Sequence, residues 1–525
     1  MRQLLGGLLL AAVLCAHAEV SVLRLGNGPE PETLDPQRAE GVSAANILRD
    51  LYEGLTRIAP DGRVIAGAAE SWSISEDGRT YRFELRPDAR WSNGDPVTAE
   101  DFVAGLRRTV TPATGSSYAQ MLGLIEGAGA IIEGKAAPET LAVRAVSAHT
   151  LEMRLSAPAP YWLGLLSHAS TYPVHRPSLA QYGADFARAG RLVGNGAYML
   201  DDWGVQSHVR LRRNPNYWRA RDVSIDVVEY FPTEDLNSEY KRYLAGELDV
   251  TYEVPPVLIP KIRRQLGDEL RVAPYLGVYY YGLNLTRPPL AGNKPLRQAL
   301  SLAIDREVIA SKLLHGLGLP AESWIPPETS GHLSLGRPPA SPWTERQAEA
   351  RRLYRASGYG PDRPLRLEIR YNTNENHRRI ATVIAAMWRQ VLGVQTSLVN
   401  EEFKVFLSNR KLKADTQVFR AAWIADFDDP LSFAEILTSG NGQNDTGWSD
   451  PEYDRLIERA RRTADPERRA RLLQAAERRV LDEVPVIPIY FYTSKHLIKP
   501  HVAGWTDNML DYHYSQDLRI LPAAP

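Results

Sequence analysis

A chain of 525 residues, 44% hydrophobic and 24% charged, can bury sizeable cores and should divide into more than one domain. Its 62 basic and 63 acidic side chains nearly cancel, so no net field draws it to nucleic acid or to an anionic membrane. The single cysteine, Cys15, lies so near the N-terminus that a processed chain has no disulfide and depends on packing for stability.

In chain order, Met1-Arg2-Gln3 leads into 4-LLGGLLLAAVLC-15, an apolar run too short to span a bilayer comfortably, and then into Ala16-His17-Ala18. This reads as a secretory signal over 1–18, cleaved after Ala18. Lipidation at Cys15 is the less favoured reading, because Leu14 is larger than the small residue such processing tolerates. No later apolar run is long enough for a transmembrane helix, so a soluble exported protein is expected. Short strands and Pro/Gly turns follow, as in 80-TYRFELRPDARWSNGDPVT-98. Two segments, 225–254 and 366–400, switch from strand period to helix period and back, as a βαβ unit does. In the second, Leu367, Ile369 and Tyr371 alternate. Ile380, Val383, Ile384, Met387 and Val391 then follow helical spacing up to Gly393. Two separated units of this kind predict an α/β protein with two lobes. In 279-YYY-281, alternation sets Tyr279 and Tyr281 on one face and Tyr280 on the other. The segment 419-FRAAWIADFDDPLSF-433 gathers three aspartates beside Trp423. Turn chemistry before Pro430 accounts for Asp426, Asp428 and Asp429 as readily as a binding role does. A calcium loop is disfavoured, because Leu431 and Leu437 stand where its glycine and distal glutamate belong.

Several stretches carry a family resemblance. They are 32-ETLDPQRAEGVSAANILRDLYEGLTRI-58, 69-AESWSISEDGRTYRFELRPDARWSNGDPVTAEDFV-103, 194-GNGAYML-200, 214-NPNYW-218, 278-VYYYGLN-284, 301-SLAIDRE-307, 419–433 and 490-YFY-492. Occurring in this order over nearly the whole mature chain, they resemble the extracytoplasmic oligopeptide-binding proteins of ABC importers, in the oligopeptide and murein-peptide branch of solute-binding protein family 5. The resemblance implies an α/β fold of the two-lobed periplasmic-binding-protein type (cluster C), with a third domain and lobes joined by crossing strands. It places lobe I at 19–53, 178–276 and 494–525, the extra domain at 54–177 and lobe II at 277–493. It also implies a periplasmic monomer that closes on an oligopeptide and delivers it to permease subunits in the inner membrane, with no cofactor and no metal.

A peptide of unspecified sequence offers an ammonium, a carboxylate and backbone groups. A buried ammonium calls for a carboxylate partner, and by resemblance Asp426 supplies it, with Trp423 as an apolar wall. By the same resemblance His377, Arg410 and Arg420 receive C-terminal carboxylates, with His377 opening a helix whose N–H groups can face the same anion. Taken alone, His377 reads as an exposed helix start and Arg410 as a solvated helix face. Tyr118 and Tyr492 match pocket positions, and Glu40 and Val42 match a strand edge that pairs with ligand backbone; without the resemblance 40-EGV-42 is a loop.

The chain also departs from its relatives. Gly277 and Ile424 stand where some relatives have a disulfide, Gly282 replaces a pocket acid, Phe403 a pocket tryptophan, and Leu314 a basic residue. HExxH, GxSxG and GxxxxGK[ST] are all missing, which disfavours a periplasmic peptidase or amidase. A murein-peptide receptor and a chaperone-like or sensory peptide binder remain as alternatives.

Overall fold

The computed structural model describes residues 20–335, 342–413 and 415–522; the expected signal segment 1–18, with Cys15, lies outside the described residues. Strand β1 (Val22–Gly26) leads to helix α1 (Val42–Leu51). A four-stranded antiparallel sheet follows, made of β2 (Ala69–Ile74), β3 (Thr80–Leu85), β4 (Val143–Ser147) and β5 (Thr150–Arg154) in the order β2-β3-β5-β4. Tyr81, Phe83 and Leu85 of β3 point inward, the alternation of a sheet buried on one face. Helix α2 (Ala99–Val110) packs on this sheet and also on the short turns that follow Tyr118 and His168. The Thr109 hydroxyl donates to the Ser170 carbonyl at 2.6 Å, pinning the second turn to the helix.

The chain then returns to β1. Strands β6 (Tyr198–Gly204), β7 (His208–Arg213) and β8 (Val227–Phe231) complete a sheet in the order β1-β8-β7-β6, with β8 parallel to β1. Helix α3 (Leu236–Leu244) carries the chain over to Val250, which bridges Leu25 in parallel. The expected unit at 225–254 is therefore present, but its second strand is reduced to isolated bridges at Val250, this one and an antiparallel one to Ile498.

Two long strands connect this sheet to a second one. Strand β9 (Leu270–Leu283) pairs antiparallel with the last long strand of the fold, Val486–Leu497, first over Leu270–Pro274 and again over Val278–Gly282. The ladder is irregular between Pro274 and Val278, as expected beside a residue without an N–H. There the Leu276 N–H donates to the Met509 carbonyl and the Leu276 carbonyl accepts from Ala425, both at 2.8 Å, so the interruption leaves these groups paired.

The second sheet contains β10 (Arg366–Asn372), helix α4 (Glu375–Leu392), β11 (Gln395–Glu401), helix α5 (Phe403–Leu412), β12 (Val418–Ile424), helix α6 (Pro466–Glu483) and β13 (Val486–Leu497). Its strand order is Leu319–Pro320, β13, β9, β12, β10, β11. Strands β10 and β11 run parallel with α4 as the crossover, and Gly393 ends α4 at φ 76°, the left-handed cap the spacing predicted. Tyr279 and Tyr281 join the core of this sheet, while Tyr280 faces the other core, as alternation requires. Gly277 and Ile424 are direct cross-strand partners. A Cβ on Gly277 would stand 2.5 Å from Ile424 Cδ1, so the isoleucine fills the space where relatives are expected to place a disulfide. No helix among the described residues is long and apolar enough to cross a membrane.

Candidate ligand-binding site

A cavity of about 320 Å³ lies between the two sheets and the turns of the α2 unit, and all ten residues singled out in the sequence line it: Glu40, Val42, Tyr118, His377, Phe403, Arg410, Arg420, Trp423, Asp426 and Tyr492. They come from chain segments hundreds of residues apart. Their convergence is the strongest sign that the cavity is the functional site.

Asp426 follows β12 and is 7% exposed. Its N–H donates to Ser432 Oγ at 2.9 Å, fixing the turn. His168 Nε2 stands 3.3 Å from Asp426 Oδ1. The other nitrogen of that ring, Nδ1, accepts from the Ser170 N–H at 3.2 Å, which leaves the proton on Nε2, facing the carboxylate. Tyr118 packs on the same imidazole with ring centroids 4.5 Å apart, and Trp423 lies 6.4 Å beyond Tyr118. The carboxylate thus faces an imidazole within an aromatic surround. Sequence reasoning missed His168; its position in a turn far from Asp426 in sequence carries no local signal.

Arg420 projects from β12 and is paired only with neutral groups, donating to Tyr492 Oη at 2.9 Å and to Asn372 Oδ1 at 3.4 Å, with its guanidinium 4.8 Å over the Tyr279 ring. Its Nε is buried without a partner, as is Trp423 Nε1. Asp426 lies six positions after Arg420, at most roughly 20 Å of extended chain, so one strand and its extension carry a base and a buried acid into the same cavity.

Several expectations need correction. His377 is buried, not exposed, and burial, then the nearby Arg420 and Lys495, hold its pKa well below the usual histidine value, so the ring is neutral. The first-turn N–H groups of Asn376 and His377 donate to the Asn374 side chain at 2.9 and 3.2 Å, so they are taken by the cap and do not await an anion. Arg410 does not lie on a solvated face: its side chain is 13% exposed and pairs with Asp445, with Nε 2.5 Å from Oδ2. Glu40 and Val42 form no strand edge; Glu40 lies in a loop and Val42 begins α1 after the extended Gly41. Asp429 is more than a turn residue, since Arg469 of α6 grips it through two hydrogen bonds of 2.7 and 2.8 Å. Gly282 lies outside the cavity lining, and a Cβ there would stand 2.1 Å from the Phe419 ring, so no acid fits without moving that ring. Leu314 is a core residue.

A polar contact also joins three parts of the fold. Lys411 at the end of α5 donates to Glu40 ahead of α1 and, at 2.7 Å, to Ser117 Oγ, which itself donates to Glu40 at 2.8 Å. This contact straps the two sheets together over the cavity.

A cavity closed between two α/β units, bridged by paired crossing strands and lined by opposite charges, defines a two-lobed solute-binding protein. Residues 63–445 match the family described as bacterial extracellular solute-binding proteins, family 5 Middle, and the chain belongs to that family. It is 38% identical over 510 residues to the periplasmic oligopeptide-binding protein OppA of Escherichia coli K12, covering 96% of this chain and 93% of that one. It is also 38% identical over 507 residues to the probable deoxycholate-binding periplasmic protein YgiS of the same organism, covering 96% and 94%. The solved murein tripeptide-binding protein MppA of E. coli, 36% identical, superposes with a TM-score of 0.94 over 96% of this chain and 99% of that one. The unliganded open form of MppA gives only 0.66 over 96% and 98%, so the arrangement described here is not the open one.

Proposed function

We propose that the protein is the periplasmic receptor of an ABC importer, enclosing an oligopeptide between its lobes and handing it to permease subunits in the inner membrane. The observation that carries this reading is the pair of opposite charges lining the cavity: buried Asp426, whose hydrogen-bonding partner at the carboxylate is an imidazole, and Arg420, whose hydrogen bonds go to neutral groups. A peptide ammonium completes the first and a carboxylate or backbone carbonyl the second. Leaving either charge buried and unpaired is the costly state, so closure favours a ligand that supplies both. The surrounding aromatics Tyr118, Trp423 and Tyr492 give apolar walls for side chains of varied shape.

Capture then follows from lobe movement. In this reading lobe I is 19–53, 178–276 and 494–525, the extra domain is 54–177 and lobe II is 277–493. The break in the β9–β13 ladder between Pro274 and Val278 supports a hinge where lobe I passes into lobe II at 276–277. The Glu40–Ser117–Lys411 contact belongs to the closed state. Binding, not cleavage, is the proposed activity, and the protein acts as a monomer.

Native mass spectrometry on protein purified without denaturation, with sequencing of the released ligand, tests the reading. Mixed short peptides with free amino termini are expected. A single species bearing D-amino acids or diaminopimelate would move the assignment to murein peptides, and a bile acid or other non-peptide would overturn it.

A further inference from the structure

Three donors not used above meet in the cavity wall: His496 from β13, and Asp511 and His513 from the C-terminal segment. His496 Nε2 lies 3.0 and 3.2 Å from the two Asp511 oxygens, and His513 Nε2 lies 2.8 Å from Asp511 Oδ1. One ligand atom from each residue falls within 4.8 Å of the others. Trp505 stacks on His513 with centroids 3.6 Å apart, which fixes that ring.

The hydrogen-bond roles are informative. His496 Nδ1 stands 2.8 Å from the Thr251 carbonyl, which can only accept, so Nδ1 carries a proton. Nε2 of the same ring faces the Asp511 carboxylate, an arrangement completed by a cation held between them, whether a proton or a metal ion. The backbone carbonyl behind His496 is the outer support that metal-binding imidazoles use to fix their tautomer. Asp511 is held at φ 54°, a left-handed conformation that sets its carboxylate between the two imidazoles.

We propose that His496, Asp511 and His513 form a divalent transition-metal site in the wall of the ligand cavity. Two imidazoles and one carboxylate suit Zn²⁺, Co²⁺ or Ni²⁺ better than Mg²⁺ or Ca²⁺. Ligand atoms in a tetrahedral zinc site lie about 3.3 Å apart, so the two His–Asp gaps open by a few tenths of an ångström to admit the ion. Two cations stand nearby, Lys495, ion-paired with Glu253, and Arg49, lying 3.9 Å over the Tyr512 ring. One carboxylate leaves the ion with positive charge to spare, so its remaining positions suit an anionic or imidazole donor from the cavity.

The test uses untagged full-length mature protein, stripped with EDTA and titrated with Co²⁺ or Zn²⁺ alone, so its outcome is independent of the peptide reading. Calorimetry should give one ion per chain, and Co²⁺ should show visible bands of a nitrogen- and oxygen-ligated site. Asp511→Asn, which keeps a residue tolerant of the left-handed backbone, and His513→Gln should each weaken binding by at least about a hundredfold with circular dichroism unchanged. No stoichiometric binding to the wild type, or wild-type affinity retained in both variants, would show that the cluster is only a protonated His–Asp network.

Discussion

His168 Nε2 faces Asp426 Oδ1 at 3.3 Å, across the boundary between the α2 unit and the segment that follows β12. The imidazole fixes the carboxylate without neutralising it permanently, since a peptide ammonium offers a stronger partner. Asp426→Ala should therefore lower affinity for a free-amine peptide by about 3–5 kcal/mol, the loss seen when a buried charge loses its partner. His168→Ala should cost less, because the ammonium still meets Asp426. Calorimetry with a peptide and its N-acetylated form separates the roles: the acetylated form should bind wild type and Asp426→Ala alike. Equal affinity of both proteins for the free amine would remove the anchor.

On the proposed lobe movement the Glu40–Lys411 contact breaks as the lobes part, so it should act on ligand release. Lys411 is 35% exposed and Glu40 16%, which places the pair between a surface ion pair and a buried one. Lys411→Ala should weaken peptide affinity roughly fivefold, about 1 kcal/mol, mostly through faster dissociation. Stopped-flow dissociation rates measure this. An unchanged off-rate would mean that the contact forms without holding the lobes.

What the sequence made legible was local in period. Leu367, Ile369 and Tyr371 announced β10, and the tyrosine run sorted itself between two cores, because side-chain direction in a strand depends only on neighbours. The reduced second strand at Val250 shows the limit: a β-rich run paired at a single residue looks the same in sequence as one paired along its length. The resemblance sets Val42 on a strand edge although α1 begins there, and 40-EGV-42 is too short to carry any period that would show the helix start. Asp426 and its neighbours were not distinguishable from turn aspartates by residue chemistry, and the family resemblance alone raised it to a site residue. His168 with Asp426, Lys411 with Glu40, and Arg469 with Asp429 are pairs of distant residues, and a sequence lists partners without matching them.

Glu239 of α3 gives a pH dependence with a definite sign. Burial, partly offset by the hydrogen bond from the Tyr252 N–H, raises its pKa from 4.5 to about 8. In the unfolded chain the carboxyl ionises at the ordinary value, so between about pH 4.5 and 8 the folded state holds one proton more than the unfolded state. The contribution of Glu239 to stability is full below that window and declines as pH rises through it. Glu239→Gln should flatten this part of the stability profile, leaving the variant relatively more stable at pH 8 than at pH 5. Urea midpoints at the two pH values check it, and identical slopes for both proteins would contradict the burial argument.

Asp428 and Asp429 are adjacent, alike in sequence, and opposite in environment. Asp428 accepts from the Ser330 N–H and hydroxyl at 2.8 and 2.6 Å near the surface. Asp429 is buried and holds Arg469 bidentately, while its Oδ1 also accepts from the Leu431 N–H at 2.9 Å. Asp428→Ala removes hydrogen bonds whose partners water can satisfy, and should cost about 1 kcal/mol. Asp429→Ala strands a guanidinium that is 7% exposed and should cost about 3–5 kcal/mol. Replacing both partners, as in Asp429→Leu with Arg469→Met, should recover part of that loss, because no unpaired charge is left inside. Urea unfolding of the four proteins measures the differences. Comparable losses for the two single aspartate variants would mean that the Arg469 pair contributes nothing beyond an ordinary turn.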